Sequence, residues 1–194
     1  MKKQTITPDM IKESTIAYVA EYGLENLTTK KIALSMNISE GTIFNNFSNK
    51  KELLAECLYY IDHQIDQIFE SIPFHGLNIS KTIRELWFSY FDYLVTHGAY
   101  AKFYRQYRQS SYYTDEGIAG QDDSYSFFIS IIQKNAHIFG FNPDIYWVFI
   151  IETTLNFAIR VADGQLPGDK KNVERFYGLL SHGFIGNMKI GKKE

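Results

Sequence analysis

Apolar positions recur with a helical period along almost the whole chain, and short polar or glycine-bearing stretches cut them into segments. Thr7-Pro8-Asp9 reads as a helix start: a hydroxyl cap, a proline at the first helical position and an acid in the first turn. Ile11, Thr15, Tyr18, Val19 and Tyr22 then share a face, and Gly23 ends the helix. Thr28 caps a second, short segment in which Ile32, Ala33 and Met36 form one buried side. Asn37 tolerates the left-handed conformation that closes a helix, and Ile38 anchors the turn. Ser39 caps a third short helix with Ile43 and Phe47 facing inward, which leaves Glu40, Thr42, Asn45 and Asn46 facing outward. Asn49, with Glu52 three residues on, resembles a capping box and opens a fourth helix over residues 50–72. Its apolar stripe, from Leu53 and Leu54 through Ile61 and Ile65 to Ile72, runs about 33 Å at about 1.5 Å per residue before Pro73 stops it. That is longer than a three-helix unit needs, so its second half is expected to join a small domain to a larger one.

The remainder also reads as helices. Ser80 caps a segment to His97 with Ile83, Leu86, Trp87, Tyr90, Phe91 and Leu94 on one face, ended by Gly98. Tyr100–Arg108 carries Phe103, Tyr104 and Tyr107 opposite Lys102, Arg105 and Arg108. Ser110–Asp123 is a polar loop, and helical periodicity resumes over Ser124–Phe139. Asn142-Pro143-Asp144 starts a helix to Asp163, Gly164 through Gly168 break it, and Asp169 opens the last helix, to Met188. No alternating strand pattern and no internal repeat is present. The segment Ile145–Ala162 is apolar nearly all round, which predicts burial on every side. Either a second copy of the chain covers it or it is the centre of a monomeric core.

Two short helices joined by a tight turn, with a small polar outer face, can offer side chains to a DNA major groove. An Asn amide donates to and accepts from an adenine edge, and Thr does so more weakly. A merely solvated helical hairpin would have the same spacing. Thr28, Ile32-Ala33, Ile38-Ser39, Gly41-Thr42-Ile43-Phe44, Phe47, Lys50 and Glu52-Leu53 resemble the DNA-binding domain of the TetR family of transcriptional regulators, and the match reaches back to Ile11 and Gly23. Two positions depart from the family pattern: Phe44 stands where Tyr is usual and lacks its hydroxyl, and Asn37 stands where Gly is frequent. The resemblance implies base contacts by Thr42, Asn45 and Asn46, and backbone contacts by Thr28, Lys30, Ser39, Phe44 and Lys50. It also implies a small-molecule effector held in the second domain and a dimer built from the last two helices. The effector is expected to be apolar or aromatic, in a pocket lined by Trp87, Tyr90, Phe91, Tyr107, Phe127, Phe128, Trp147 and Ile151. The dimer interface is expected at Phe157, Ile159, Phe176, Leu180 and Phe184.

Composition narrows the alternatives. The 194 residues are 45% hydrophobic and 16% aromatic, ample for a packed core, with a net charge of −2 that excludes a globally basic nucleic-acid coat protein. Positive charge is local: between Thr28 and Lys51 four lysines (Lys30, Lys31, Lys50, Lys51) face one acid, Glu40. The single cysteine, Cys57, precludes an internal disulfide and reads as a buried thiol. No apolar run follows the N-terminal lysines and none approaches membrane-spanning length, so a cytoplasmic protein is expected. The five histidines have no partner at ligand spacing, and no phosphate loop or nucleophile elbow is present, so neither metal, cofactor nor enzymatic activity is expected. Glu152, Asn156 and Arg160, at i, i+4 and i+8 of an otherwise apolar helix, are left to pair with one another, across a dimer, or with a ligand.

The expected protein is all-α. Residues 1–52 form a three-helix helix-turn-helix domain, the fourth helix connects, and residues 53–194 bind effector and dimerise. The resemblance implies a repressor that binds a palindromic duplex operator and is released by its effector, with a DNA-binding activator or a constitutive binder without effector as one rival reading. The other is a helical small-ligand carrier or enzyme in which the helix pair is incidental.

Overall fold

The computed structural model describes residues 5–73, 78–114 and 143–190, apart from the side chains of residues 79, 143–144, 146–147 and 182–190. Among the described residues every regular element is a helix: α1 (Pro8–Tyr22), a 3₁₀ turn (Leu24–Asn26), α2 (Thr29–Ser35), α3 (Glu40–Phe44), α4 (Lys50–Glu70), α5 (Ile79–Thr96), α6 (Gly98–Arg108), α7 (Pro143–Ala162) and α8 (Lys170–Ile190). The expected helix Ser124–Phe139 lies outside them.

The chain packs as two units. The first comprises Met1–Ser71 and Ala99–Ser124, the second Ile72–Gly98 and Tyr125–Glu194. In the first, α1 packs on α4 and on α2, and α2 packs on α3. Ile11, Ile16 and Val19 of α1, Ile32 and Ala33 of α2, Ile43 and Phe47, and Leu53, Leu54, Cys57, Leu58 and Ile61 of α4 make one core. Each Val, Leu, Ile or Phe among them contributes about 1.5–3 kcal/mol on full burial, enough in sum to hold helices too short to persist alone. α6 completes the unit with Ala101, Phe103, Tyr104 and Tyr107, all buried. The sequence reading of α1 needs one correction: Ile16 is on the core face, whereas Tyr22, in the last turn, is 53% exposed and packs on Tyr18 at 4.8 Å between ring centroids.

In the second unit α5 packs along α7. Trp87, Tyr90, Phe91 and Leu94 of α5 are buried, as are Ile151, Leu155, Ala158 and Ile159 of α7. The cap of α5 is Asn78, whose side chain accepts from the Lys81 N–H at 3.2 Å, rather than Ser80. Asn caps a helix as well as Ser does, so the earlier start is chemically ordinary. Gly98 does not terminate a helix; α5 stops at Thr96, and Gly98 is already the first residue of α6. Within one chain α7 is not buried on all sides, which speaks against its being the centre of a monomeric core. Ile145, Val148 and Phe149 are 62%, 51% and 52% exposed, because α5 and its neighbours cover only one side of the helix.

Candidate nucleic-acid interface

Local hydrogen bonds shape the α2–α3 pair. The Thr28 hydroxyl accepts from the Lys31 N–H at 3.2 Å and so starts α2. Asn37 closes it at φ 54. The Ile38 N–H then reaches the Ala33 carbonyl at 2.9 Å and the Asn37 N–H the Leu34 carbonyl at 3.1 Å. These two bonds form a Schellman motif, the turn that Asn37 allows and a branched residue would resist. The Ser39 hydroxyl accepts from the Thr42 N–H at 3.1 Å and starts α3, while the Thr29 hydroxyl donates to the Glu40 carboxylate and ties α2 to α3.

α3 ends at Phe44, with Asn45 as its C-cap and Asn46 just beyond, so both lie in the closing turn rather than mid-helix. Asn45 and Asn46 are exposed and Thr42 is half-buried, and all three belong to one surface. Within it the Asn46 amide donates to the Thr42 carbonyl at 2.8 Å, and the Thr42 and Ser39 hydroxyls are 2.9 Å apart. Phe44 presents 48% of its surface beside them. Gly41 is exposed as well, and a Cβ there would meet only the Ser39 hydroxyl, at 3.7 Å. The fold itself therefore does not require glycine at this position.

Of the expected backbone-contacting residues, Thr28, Lys30 and Ser39 are exposed. Lys50 is half-buried: its ammonium donates to the Leu27 carbonyl at 2.7 Å and lies 5.1 Å from the centroid of the Tyr112 ring. It is first of all a tie within the unit, with its other donors left for any phosphate. Asn49 accepts from the Glu52 N–H at 3.0 Å. The Glu52 carboxylate accepts from the Ser48 N–H, one residue earlier than in a reciprocal capping box. Hydrogen bonding from Ser48, by side chain first and backbone second, holds the Glu52 carboxyl below its ordinary pKa. Cys57 is fully buried, and burial pushes its thiol far above the ordinary range, which removes thiolate chemistry.

The expected effector-pocket residues are only partly brought together. Trp87 donates to the Thr154 hydroxyl at 2.9 Å and stacks on Phe91 at 5.3 Å, and Tyr90 and Ile151 are buried in the same unit. Tyr107 belongs to the other unit, where it stacks on Phe103 at 5.8 Å and donates to the Tyr112 carbonyl at 3.2 Å. Phe127, Phe128 and the Trp147 side chain lie outside the described residues. A cleft of about 570 Å³ in the second unit is lined instead by Lys81, Arg84, Glu85, Phe88, Asp92 and Glu174, among others. Its character is charged rather than aromatic, and Arg84 already pairs with Glu174 across it.

The expected dimer residues differ in their exposure within one chain. Ile159 and Leu180 are 3% and 7% exposed within one chain, because both face their own unit's core. Phe157 and Phe176 stack on each other at 3.8 Å, and the Phe184 side chain lies outside the described residues. Ile145, Val148 and Phe149 of α7 and Leu179 of α8 are among the apolar side chains left open, with Asn156 and Arg160 exposed on α7 as well. Among the described residues no group of three or more His, Cys, Asp or Glu could hold a metal, and no helix is long and apolar enough to cross a membrane.

Residues 11–57 match the family model of bacterial regulatory proteins of the tetR family. No curated protein matches the chain. Among solved structures, a TetR family transcription regulator from Marinobacter aquaeolei VT8 is 17% identical, with 89% of this chain and 92% of that one covered and a TM-score of 0.79. The fatty acid degradation regulator of Bacillus halodurans is 17% identical over 92% of this chain and 96% of its own, with a TM-score of 0.69. The ketosteroid transcriptional regulator of Mycobacterium tuberculosis is 18% identical over 93% and 96%, with a TM-score of 0.66. At these identities the likeness is one of fold, and it extends over nearly the whole length of each chain.

Proposed function

We propose that this chain, a member of the tetR family of bacterial regulatory proteins through its residues 11–57, is a homodimeric transcriptional regulator that binds a palindromic DNA operator and is released by a small-molecule effector. The observation that carries the reading is the polar surface formed by half-buried Thr42 of α3 with exposed Asn45 and Asn46 in its closing turn, on the second helix of a tightly capped pair. Asn45 and Asn46 supply amides for base edges, and Thr42 supplies a hydroxyl and a methyl. Thr28, Ser39 and Lys30 stand at the flanks for phosphate, with Phe44 against the sugar–phosphate backbone and Lys50 sharing its ammonium between Leu27 and a phosphate. Gly41 supports close approach. Glycine costs a helix about 1 kcal/mol relative to alanine, and no neighbour in this chain requires it.

A second copy would cover Val148, Phe149 and Leu179 and set two reading helices about 34 Å apart, or a multiple of it, as a palindrome demands. The effector domain lies within residues 53–194, and its aromatic interior favours an apolar ligand, in keeping with the lipid-related names of two structural relatives. The carrier or enzyme alternative accounts for neither the family match nor the exposed amide surface.

The test is a mobility-shift titration of the full chain against duplexes from the region upstream of its own gene, and against a randomised duplex pool. A sequence-preferring shift that weakens steeply with salt is the expected result. No shift at low ionic strength at any duplex, with the protein folded, sinks the proposal.

A further inference from the structure

We infer that Gln106 of α6 is a positioning residue of the DNA-reading unit, holding the corner from which the α2–α3 pair projects. The inference rests on the DNA-binding reading above. The corner is the short stretch between the end of α1 and the cap of α2. There Gly23 takes φ +88, in the region that favours glycine, and the 3₁₀ turn Leu24–Asn26 follows. At such a junction the last carbonyls of one helix and the first N–H groups of the next lack regular partners. The Gln106 side chain serves the Leu24 N–H and adds a second donor to the Val19 carbonyl, which also accepts from the Gly23 N–H at 3.0 Å. The Gln106 carbonyl oxygen accepts from the Leu24 N–H at 2.9 Å, and its amide donates to the Val19 carbonyl at 3.0 Å. Among uncharged side chains a primary amide offers both an acceptor and a donor at this spacing, so the residue type matches the task.

The far end of the same stretch is gripped as well. The Leu27 carbonyl accepts from Lys50, whose ammonium lies over the Tyr112 ring. Tyr112 follows α6 closely in the chain, so α6 and the turn after it support both ends of Leu24–Leu27, and Thr28 then caps α2. α6 can bear that load because Ala101, Phe103, Tyr104 and Tyr107 anchor it in the core of the unit. The reading unit is thus larger than the contiguous N-terminal segment. It includes a helix contributed from more than 80 residues downstream, since Gln106 meets Leu24 at a separation of 82. Whatever displaces α6 loosens the corner, and with it the angle at which Thr42, Asn45 and Asn46 are presented.

The test uses full-length protein and a duplex that the parent has enriched from a randomised pool. Gln106→Met keeps the length of the side chain and removes both hydrogen bonds. Gln106→Glu keeps the acceptor for Leu24 and removes the donor to Val19. For Gln106→Met we expect faster amide exchange at Leu24, an unchanged dimer, and about tenfold weaker duplex binding that is uniform across base substitutions in the site. For Gln106→Glu we expect Leu24 protection to survive with a smaller loss of affinity. Parent-like binding by Gln106→Met despite faster Leu24 exchange overturns the inference, and so does unchanged exchange. If Gln106→Met fails to fold, Gln106→Glu decides: retained Leu24 protection with measurably weaker duplex binding supports the inference, and parent-like binding or lost Leu24 protection overturns it. A parent protein that enriches no duplex instead refutes the DNA-binding reading itself, which the parent arm reports alone.

Discussion

The Lys50 ammonium donates to the Leu27 carbonyl at 2.7 Å, so the first turn of α4 holds the residue that precedes the cap of α2. A cation at a helix N-terminus is mildly unfavourable, and here the carbonyl and the Tyr112 ring offset that cost. Lys50→Met should therefore lower the unfolding free energy by about 1–2 kcal/mol, less than a buried charged hydrogen bond because the site is half-exposed. If the same ammonium also reaches phosphate, the slope of log K against log salt should fall by about one unit. Denaturant titration and a salt series separate the two roles. An unchanged midpoint removes the tie, and an unchanged slope removes the phosphate contact.

Asn45 and Asn46 should not contribute equally to base choice. In the free protein the Asn46 amide is engaged with the Thr42 carbonyl at 2.8 Å, so reading a base with its N–H₂ means giving up that bond. Asn45 is exposed at the C-cap of α3. Asn45→Ala should cost about 1–3 kcal/mol on the preferred duplex and relax preference at one position, with the smaller loss for Asn46→Ala. Equal affinities of both variants and parent across a set of single-base-changed duplexes would show that these residues do not read the groove.

The parts of the site that were legible in the sequence are those fixed within a few residues. Thr28, Ser39 and Asn49 each cap the N–H three positions on, and Asn37 takes the left-handed conformation its side chain permits. Such contacts depend on local backbone alone, and spacing encodes them. Gln106 was not legible, because the fold alone brings it, from more than 80 residues downstream, to its partners Val19 and Leu24. The orientation of α7 was hidden for a different reason. A helix apolar on every side carries no polar face to say which side its own chain covers, so Ile159 and Phe149 look alike in sequence and differ in the fold.

The Glu52 carboxylate gives the N-terminal unit a defined acid sensitivity. Ser48 hydrogen bonds depress its folded-state pKa, so its contribution is fully present above the ordinary carboxyl pKa. That contribution is lost as pH falls through the lower folded value. Melting temperatures of the parent and of Glu52→Gln should therefore converge as pH drops below about 4, where the unfolded-state carboxyl protonates. The gap between them should open toward neutrality. A gap that stays constant from acid to neutral pH would mean that the Ser48 contacts do not distinguish the ionised form.

In the second unit, Trp87 donates to Thr154 at 2.9 Å between residues that are 6% and 0% exposed. Thr154→Val preserves shape but strands the indole N–H in an apolar setting, at a cost of about 1–3 kcal/mol. Thr154→Ser keeps the hydroxyl and should cost less, chiefly the missing methyl. Thermal unfolding followed by Trp fluorescence reports both. A Val variant as stable as the Ser variant would indicate that the indole finds another acceptor.

The open face of α7 would make the proposed dimer separable from the fold. Phe149 is 52% exposed in one chain, and Ile159, on the same helix, is 3% exposed. A charge at Phe149 stays in water while the chain is alone and is buried without a partner only when a second copy docks. Phe149→Glu should therefore yield a folded monomer with melting close to that of the protomer, and operator binding should collapse because one half-site no longer assists the other. Ile159→Glu places the same charge inside the unit and should unfold it instead, without a stable monomer in between. Sedimentation and circular dichroism on the two variants distinguish these outcomes. A Phe149→Glu protein that remains dimeric at micromolar concentration would move the interface away from this face, and a folded monomeric Ile159→Glu protein would return it to the residue chosen from sequence.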